Sequence, residues 1–243
     1  MVDRGDFPGE SLLLPWCCTL CGQAGLPGLD LCAACHADLP WSRSACPSCA
    51  TPLPEGAGAW RCGACLNRPP VWDGAFSALH YALPIDRLIQ ELKFHGRLSR
   101  GRLLGDLLTQ ALTAARHTPW PETLIPVPLH RARLKERGFN QSRELALRLS
   151  HRLGITLGDS WVERIQPTQP QIGLSAAARR RNLRDAFAVR GKPPAHVAIL
   201  DDVLTTGSTV AALSTALRAA DVTRIEVWTV ARSAPDHPAG PAK

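Results

Sequence analysis

The chain has 243 residues and a formal net charge of +7, the difference between 28 Lys+Arg and 21 Asp+Glu. This length excludes a disulfide-stabilised miniprotein and fits one domain of ~150–180 residues with a smaller companion. A hydrophobic share of 45% excludes a disordered chain, and no apolar run approaches the ~18 residues that a membrane-spanning helix needs.

Cysteine and charge divide the chain at the same place. All nine cysteines lie between residues 17 and 65, and residues 1–70 carry 4 Lys+Arg and 6 Asp+Glu, a net charge of −2. Residues 71–243 carry 24 and 15, a net charge of +9. We therefore predict an N-terminal extension at 1–15, a cysteine-rich domain at 16–68, a larger domain at 71–232 and a flexible tail at 233–243. The first ten residues are polar and acidic rather than typical of a secretory signal, which predicts a cytoplasmic protein.

Eight of the cysteines form four Cys-x-x-Cys pairs: Cys18/Cys21, Cys32/Cys35, Cys46/Cys49 and Cys62/Cys65. Each such turn aims two thiolates at one point, and two turns complete the tetrahedron that Zn²⁺ prefers. Disulfides are the alternative, but they need an oxidising compartment, and a redox-active pair normally occurs singly. We therefore predict a double zinc ribbon at 16–68 with two structural Zn²⁺ ions, which supply folding energy that so small a segment lacks.

The residues leave the pairing of the four turns open. Sequential ribbons join neighbouring pairs through short loops, whereas a cross-braced arrangement would join the 18/21 pair to the 46/49 pair. Cys17 is the ninth thiol, and it is either a bystander or a substitute for Cys18 as a ligand.

Strand and helix patterns alternate through residues 71–232. Apolar patterns predict strands at 71–82, 123–128, 186–189, 196–200 and 224–232. Helical spacing predicts helices at 84–94, 103–115, 140–153 and 208–220, with Asn140 as an N-cap. This rhythm predicts an α/β fold, a mostly parallel sheet flanked by helices, in which ligands bind at the carboxyl ends of strands.

One predicted strand end carries an unusual set of polar residues. Asp201 and Asp202 follow the buried run 197–200, where two carboxylates can accept hydrogen bonds from vicinal hydroxyls. Hydroxyls, backbone amides and a helix N-terminus then form a phosphate cradle at Thr205, Thr206, Gly207, Ser208 and Thr209. Vicinal hydroxyls and a phosphate together describe a ribose 5-phosphate. The plain alternative, a capped helix after a core strand, explains one acid and one threonine but not the whole run.

The run LDDVLTTGST (200–209) resembles the phosphoribosyl pyrophosphate (PRPP) motif of type I phosphoribosyltransferases. With the four cysteine pairs and the segments 81–94, 126–142 and 164–187, the chain is similar to the ComF/GntX family over residues 16–232. This family consists of competence-associated, phosphoribosyltransferase-like proteins with an N-terminal zinc ribbon. The resemblance implies a type I phosphoribosyltransferase-like sheet, PRPP binding with Mg²⁺ and a link to DNA uptake. Asp201 and Asp202 would then hold the ribose hydroxyls, and residues 205–209 the 5-phosphate.

Two basic segments are candidates for binding pyrophosphate and closing the site. Segment 126–138 follows a short strand, and the resemblance implies a clamping loop there with Arg131, Arg133 and Arg137. Segment 164–187 corresponds to the family's flexible loop, and its candidates are Arg164, Thr168, Gln171, Arg179 and Asn182. The alternatives are an exposed basic helix for the first segment and a solvated, arginine-rich helix start for the second.

Two functions of different classes follow. A phosphoribosyltransferase would stabilise the departing pyrophosphate with cationic groups, and no residue indicates its acceptor nucleophile. A non-catalytic competence factor would use the fold as a ligand-sensing module and bind single-stranded DNA along the basic clusters 131–152 and 179–192. The aromatic content of 5% offers few stacking platforms for DNA, so we favour the transferase. A protein partner for the zinc ribbons is a third hypothesis.

Overall fold

A computed structural model of the chain describes residues 15–58, 60–115, 118–166 and 186–233. The chain divides into two compact units, the first ending at Leu39 and the second beginning at Pro40. The second group of four cysteines therefore lies in the unit that contains the sheet. The predicted domain boundary near residues 68–71 lies at a change of amino-acid composition, whereas the compact units divide at residues 39 and 40. That boundary therefore stays a prediction. Among the described residues, no helix is long and apolar enough to cross a membrane.

The first unit is small and organised around its cysteines. Helix α1 spans Ala33–Ala37, and the Sγ atom of Cys32 before it accepts a hydrogen bond from the Cys35 amide at 3.4 Å. The described part of this unit buries three leucines, namely Leu29, Leu31 and Leu39. Because so little apolar surface is buried, the hydrophobic stabilisation of this unit is small, and a bound metal would supply much of its folding free energy.

The second unit is built on a parallel sheet. Its described strands are β1 (Gly74–His80), β2 (Thr123–Pro126), β3 (Thr156–Leu157), β4 (Val162–Arg164), β5 (Phe187–Val189), β6 (His196–Leu204) and β7 (Arg224–Arg232). Five of them form a sheet of order β1-β7-β6-β2-β3, in which every neighbouring pair is parallel. Strands β4 and β5 form a separate antiparallel pair. Strand β6 is central in the large sheet, so its carboxyl end has strands on both sides.

Helices cover the sheet and position its carboxyl edge. The described helices of this unit are α2 (Gly63–Asn67), α3 (Ile85–His95), α4 (Leu98–Ala115), α5 (Arg131–Arg137), α6 (Gln141–Leu153) and α7 (Ser208–Ala219). Val210, Leu213 and Leu217 lie on one face of α7 at helical spacing, and all three are buried in a core cluster that includes side chains of β6 and β7. This packing fixes the N-terminus of α7 at the end of β6.

The predicted α/β fold, with a mostly parallel sheet flanked by helices and preceded by a cysteine-rich segment, is confirmed. Three details differ from the predictions. Strand β6 continues to Leu204, because it pairs with β7 along its whole length, so the two aspartates lie within the strand. Segment 131–137 is the basic helix that was the alternative to a clamping loop, and it ends at Gly138, which has a φ of 81°. Strands β3 and β4 have two and three residues, too few for an alternating pattern to predict.

Candidate functional site

The eight paired cysteines form two tetrads within the described residues. The first tetrad is Cys18, Cys21, Cys32 and Cys35, the second is Cys46, Cys49, Cys62 and Cys65, and within each the sulfur atoms lie within 4.8 Å of one another. The Sγ atoms of Cys21 and Cys32 are 3.6 Å apart, as are those of Cys49 and Cys62. A Zn²⁺ ion with Zn–S bonds of about 2.3 Å holds its ligands about 3.8 Å apart in a tetrahedron. Both tetrads therefore fit one zinc ion each, and their grouping is sequential rather than cross-braced.

Backbone amides prepare the first cysteine of each tetrad for metal binding. Burial opposes the charge of Cys18, but N–H groups of Cys32, Cys21 and Leu20 outweigh it and lower the pKa of Cys18 to about 6. The same opposition lowers the pKa of Cys46 to about 7. Thiolates are the metal-binding form, so Cys18 and Cys46 favour the state that a metal requires, whereas neighbouring thiols raise the pKa of Cys35. Cys17 lies outside the tetrads, is exposed, and donates a hydrogen bond from Sγ to the Gly22 carbonyl at 3.4 Å.

The two aspartates of β6 have different surroundings. Asp202 is only 3% exposed and forms an ion pair with Lys93, which lies in the last turn of α3. Asp201 is half-buried, and its Oδ1 atom accepts a hydrogen bond from the Ser142 hydroxyl at 2.8 Å. Burial and the charge of Asp202 raise the pKa of Asp201 to about 7, although Lys93 and Ser142 act in the opposite direction. Asp201 is thus the more accessible acid and changes charge near neutral pH.

Helix α6 reaches Asp201 because its N-terminus is tied to the sheet. Asn140 is the N-cap, as predicted, and its Oδ1 atom accepts a hydrogen bond from the Ser142 amide at 3.0 Å. Its Nδ2 atom donates to the Val127 carbonyl, directly after β2, at 3.0 Å. The pair of bonds fixes the first turn of α6 beside the carboxyl end of β6, which places the Ser142 hydroxyl against Asp201.

Residues 205–209, here called the phosphate loop after the predicted ligand, lead from the end of β6 into the first turn of α7. Gly207 is the N-cap of α7 and has a φ of 74°. This left-handed conformation is strained for any residue that has a Cβ atom. The hydroxyl oxygens of Thr206 and Ser208 are 2.9 Å apart at the mouth of this turn. The first N–H groups of a helix have no acceptor within the helix, and here the Ser208 amide donates to the Thr206 hydroxyl at 3.4 Å. The loop thus combines amides, hydroxyls and the positive end of a helix dipole. An oxyanion such as a phosphate fits this arrangement.

The four described basic candidates differ in their contacts. Arg131 is exposed and bonded to Glu163, with 2.9 Å between Nη2 and Oε1. Arg164 is 9% exposed, and its guanidinium carbon lies 5.7 Å from the centre of the Phe187 ring. Burial and the charge of Arg133 lower the pKa of both Arg137 and Arg164, while Asp202 and Asp201 respectively oppose the decrease. Arg133 thus interacts electrostatically with Arg137 and Arg164, and each of these two arginines also interacts with one of the aspartates.

The other flexible-loop candidates, Thr168, Gln171, Arg179 and Asn182, lie outside the described residues. Three residues of the site were not predicted: Lys93, Ser142 and Arg232. Ser142 lies in the segment 126–142 that carries the family resemblance, so that segment offered a signal. Arg232 is the last residue of β7, at the sheet edge where ligands bind, but its bonds reach backbone groups far along the chain. Lys93 lies in the segment 81–94, which also carries the resemblance, but its helical spacing and charge describe many surface lysines equally well.

Comparison with known proteins gives three kinds of match. A sequence model of the double zinc ribbon domain matches residues 10–66. The DNA utilization protein YhgH of Salmonella typhi is 36% identical over 230 residues, which cover 91% of this chain and 99% of that protein. Competence protein F of Haemophilus influenzae is 41% identical over 182 residues, 72% of this chain and 80% of that protein. A purine phosphoribosyltransferase from Pyrococcus horikoshii aligns with 61% of this chain and 93% of its own, at 19% identity and a TM-score of 0.30.

Proposed function

Because this chain belongs to the ComF/GntX family, as its match to competence protein F confirms, we propose that it binds PRPP with Mg²⁺ at the carboxyl edge of its sheet. The observation that carries the proposal is the run 201–209, which joins two carboxylates to an anion-binding turn on the central strand β6. The names of its relatives, competence protein F and DNA utilization protein YhgH, support a role in the uptake or use of DNA.

In this proposal the phosphate loop holds the 5-phosphate and Asp201 holds the ribose. The Thr206 and Ser208 hydroxyls and the amides at the start of α7 donate to phosphate oxygens, and the helix dipole favours their charge. Asp201 accepts hydrogen bonds from the ribose hydroxyls once it is ionised, above the pKa of about 7. Asp202 stays paired with Lys93, whose ammonium group compensates the buried carboxyl group beside the sugar.

Transfer would replace pyrophosphate by an acceptor at C1 of the ribose. The bond from C1 to the pyrophosphate oxygen breaks, pyrophosphate leaves with the electron pair, and the acceptor forms the new bond to C1. Arg133, Arg137 and Arg164 supply positive charge close to the aspartates and would stabilise the departing pyrophosphate. Bound Mg²⁺ would neutralise further charge on the PRPP oxygens.

Each cysteine tetrad would hold one structural Zn²⁺ ion. The match to the double zinc ribbon domain and the separations within each tetrad support zinc. Zinc ribbons need their cysteines reduced, and a reducing compartment maintains that state, so we assign the protein to the cytoplasm. Elemental analysis tests the two zinc sites. About two zinc ions per chain are expected from the ligand count, and a protein without zinc would refute the assignment.

PRPP binding is tested by calorimetry with matched threonine variants. Thr206→Val removes one loop hydroxyl and should weaken PRPP/Mg²⁺ binding about fivefold, the effect of one hydrogen bond. Thr113→Val removes an exposed hydroxyl from α4, where it bonds the Thr109 carbonyl, and should leave binding unchanged. Equal affinities of both variants and the wild type would contradict the proposed loop. Pyrophosphate release, screened over nucleobases and amines, then separates a transferase from a sensor.

A second function, single-stranded DNA binding, is favoured by one surface feature. Phe94 is 70% exposed, and the Arg137 guanidinium carbon lies 5.6 Å from its ring centre. Arg137 is the last residue of the basic helix α5, whose other residues are exposed. An aromatic face beside cations is the arrangement that proteins use to stack bases of a single strand.

This second function has its own test. Binding of oligo-dT, followed by fluorescence anisotropy, should weaken steeply with salt and lose roughly 1–3 kcal/mol in Phe94→Ala. The matched control is Leu147→Ala, which removes an exposed apolar side chain from α6. Binding that ignores both salt and Phe94 would remove DNA as a ligand of this surface.

A further inference from the structure

The Cys46–Cys49 turn of the second tetrad is hydrogen-bonded to residues in or next to the sheet of its own unit, the second one, here called the α/β unit. Three consecutive carbonyl oxygens of the turn are acceptors: Pro47 O from Ala75 N at 2.9 Å, Ser48 O from Trp72 Nε1 at 2.6 Å and Cys49 O from Arg232 Nε at 3.0 Å. Cys46 is fully buried, and Ala50 belongs to the core cluster that contains β6 and α7. The position of this turn is thus determined both by its metal ligands and by its contacts with the sheet.

Arg232 extends from this turn to the phosphate loop. Its Nη1 atom donates to the Leu204 carbonyl at 2.7 Å and also to the Thr205 carbonyl, while its Nη2 atom donates to the Thr51 hydroxyl at 3.2 Å. Arg232 is only 7% exposed, so these hydrogen bonds take the place of bonds to water. Because a guanidinium is a rigid planar fork, fixing its Nε side at Cys49 also fixes the direction of its Nη side.

Trp72 makes a second connection between the same two places. Its indole nitrogen donates to the Ser48 carbonyl, and its ring lies against Gly207, where an added Cβ atom would be 2.9 Å from Cη2. Gly207 is the residue whose positive φ turns the chain into α7. Both the entry of the phosphate loop and its sharpest turn are therefore contacted by side chains that hold the cysteine turn.

We propose that Arg232 is a positioning residue that couples metal occupancy of the second tetrad to the affinity of the phosphate loop for its ligand. A metal closes the Cys46–Cys49 turn, the turn holds the guanidinium through Cys49 O, and the guanidinium holds the carbonyls that open the loop. Without the metal, Arg232 loses a fixed acceptor and the loop loses its support. The identity of the ligand rests on the proposed PRPP function, whereas the coupling itself does not.

The first test is Arg232→Lys in full-length, zinc-loaded protein, which keeps the charge and removes the fork. Amide hydrogen exchange should accelerate in residues 203–209, and PRPP/Mg²⁺ affinity should fall about tenfold or more, as for other groups that orient a site. Exchange in α4 should not change, which shows that the fold is intact. Thr51→Val, nearly isosteric, removes one acceptor of Arg232 and should give a smaller change in the same direction. Unchanged exchange and affinity in both variants would overturn the coupling.

The second test compares one ligand from each tetrad. Cys49→Ser should reproduce the faster loop exchange of Arg232→Lys, whereas Cys18→Ser should lose one zinc ion and leave the loop unchanged. Equal effects of the two variants, or none, would overturn the proposal. A wild type that fails to bind PRPP would refute the proposed ligand only, because loop exchange still reports whether the second tetrad supports the loop.

Discussion

The two cysteine tetrads share one sequence pattern and occupy different settings. The first belongs to the compact unit that ends at Leu39, where the described chain buries three leucines. The second belongs to the unit that contains the sheet, and three carbonyl groups of its Cys46–Cys49 turn accept hydrogen bonds from other residues of that unit. The same pair of Cys-x-x-Cys turns therefore has few buried apolar neighbours in one place and direct bonds to a sheet in the other, so we expect the loss of a metal ligand to have different effects in the two.

The largest effect expected from this comparison concerns the stability of the α/β unit. Cys46→Ser removes a buried ligand and should lower its free energy of unfolding by on the order of 5 kcal/mol, a part of the ~10–16 kcal/mol that zinc peptides gain from their metal. Cys18→Ser, equally buried, should leave the main unfolding transition in place. Scanning calorimetry with zinc analysis measures both, and equal shifts of the main transition would contradict the comparison.

A smaller effect is expected at the ion pair beneath the site. Lys93→Met leaves Asp202 buried without its partner and should cost about 3 kcal/mol in urea unfolding, the lower end for a broken buried pair because Lys93 is partly exposed. The double variant with Asp202→Asn should recover most of that loss. Zinc content should stay the same in both, since the pair lies outside both tetrads. A single variant as stable as the wild type would show that the pair is unimportant.

The third prediction uses the raised pKa of Asp201. Between about pH 5.5 and pH 7 the unfolded acid, with a pKa near 3.8, is ionised while the folded one still holds its proton. The folded state then binds more protons, so this group makes the protein less stable as pH rises, by about 2 kcal/mol over that window. Asp201→Asn should remove this slope, measured by urea unfolding across the same window. An unchanged slope would assign the pH dependence to other groups, the cysteines included.

The smallest effect is expected at a surface cluster remote from both tetrads. Glu163 bonds Arg131 and Arg190, both exposed, so Glu163→Gln should change the free energy of unfolding by less than about 1 kcal/mol. The substitution would also remove the ion pair between Arg131 and Glu163, so that Arg131 is more available to bind an anion. A loss above about 2 kcal/mol in urea unfolding would show that exposed charges contribute as much as the buried pair.

The sequence predicted the groups whose chemistry lies in consecutive residues. The four cysteine pairs and the N-cap Asn140 depend on neighbours within a few positions, so spacing and residue type were sufficient to find them, although not to group the pairs into tetrads. The run 201–209 was found in the same way, and its role as a PRPP site stays a prediction. The alternation of elements was sufficient for the parallel sheet, because a helix between two strands favours a parallel connection.

What the sequence could not predict depends on distance along the chain. The bond between Arg232 and Cys49 joins residues 183 positions apart, and the pair of Lys93 with Asp202 joins the end of α3 to the end of β6. Periodicity describes one element at a time and contains no information on which elements meet at the sheet edge. The choice between a loop and a basic helix at 131–137 stayed open for a different reason, since its charged residues show no apolar face.

The central claim, a PRPP site supported by the second tetrad, is tested most directly by one set of calorimetric titrations. PRPP with Mg²⁺ is titrated into the full-length, zinc-loaded wild type and into Asp201→Asn, Cys49→Ser and Cys18→Ser. We expect saturable binding with one affinity for the wild type and Cys18→Ser, and affinities at least about tenfold weaker for the other two. No binding by the wild type, or one affinity for all four proteins, would contradict this account.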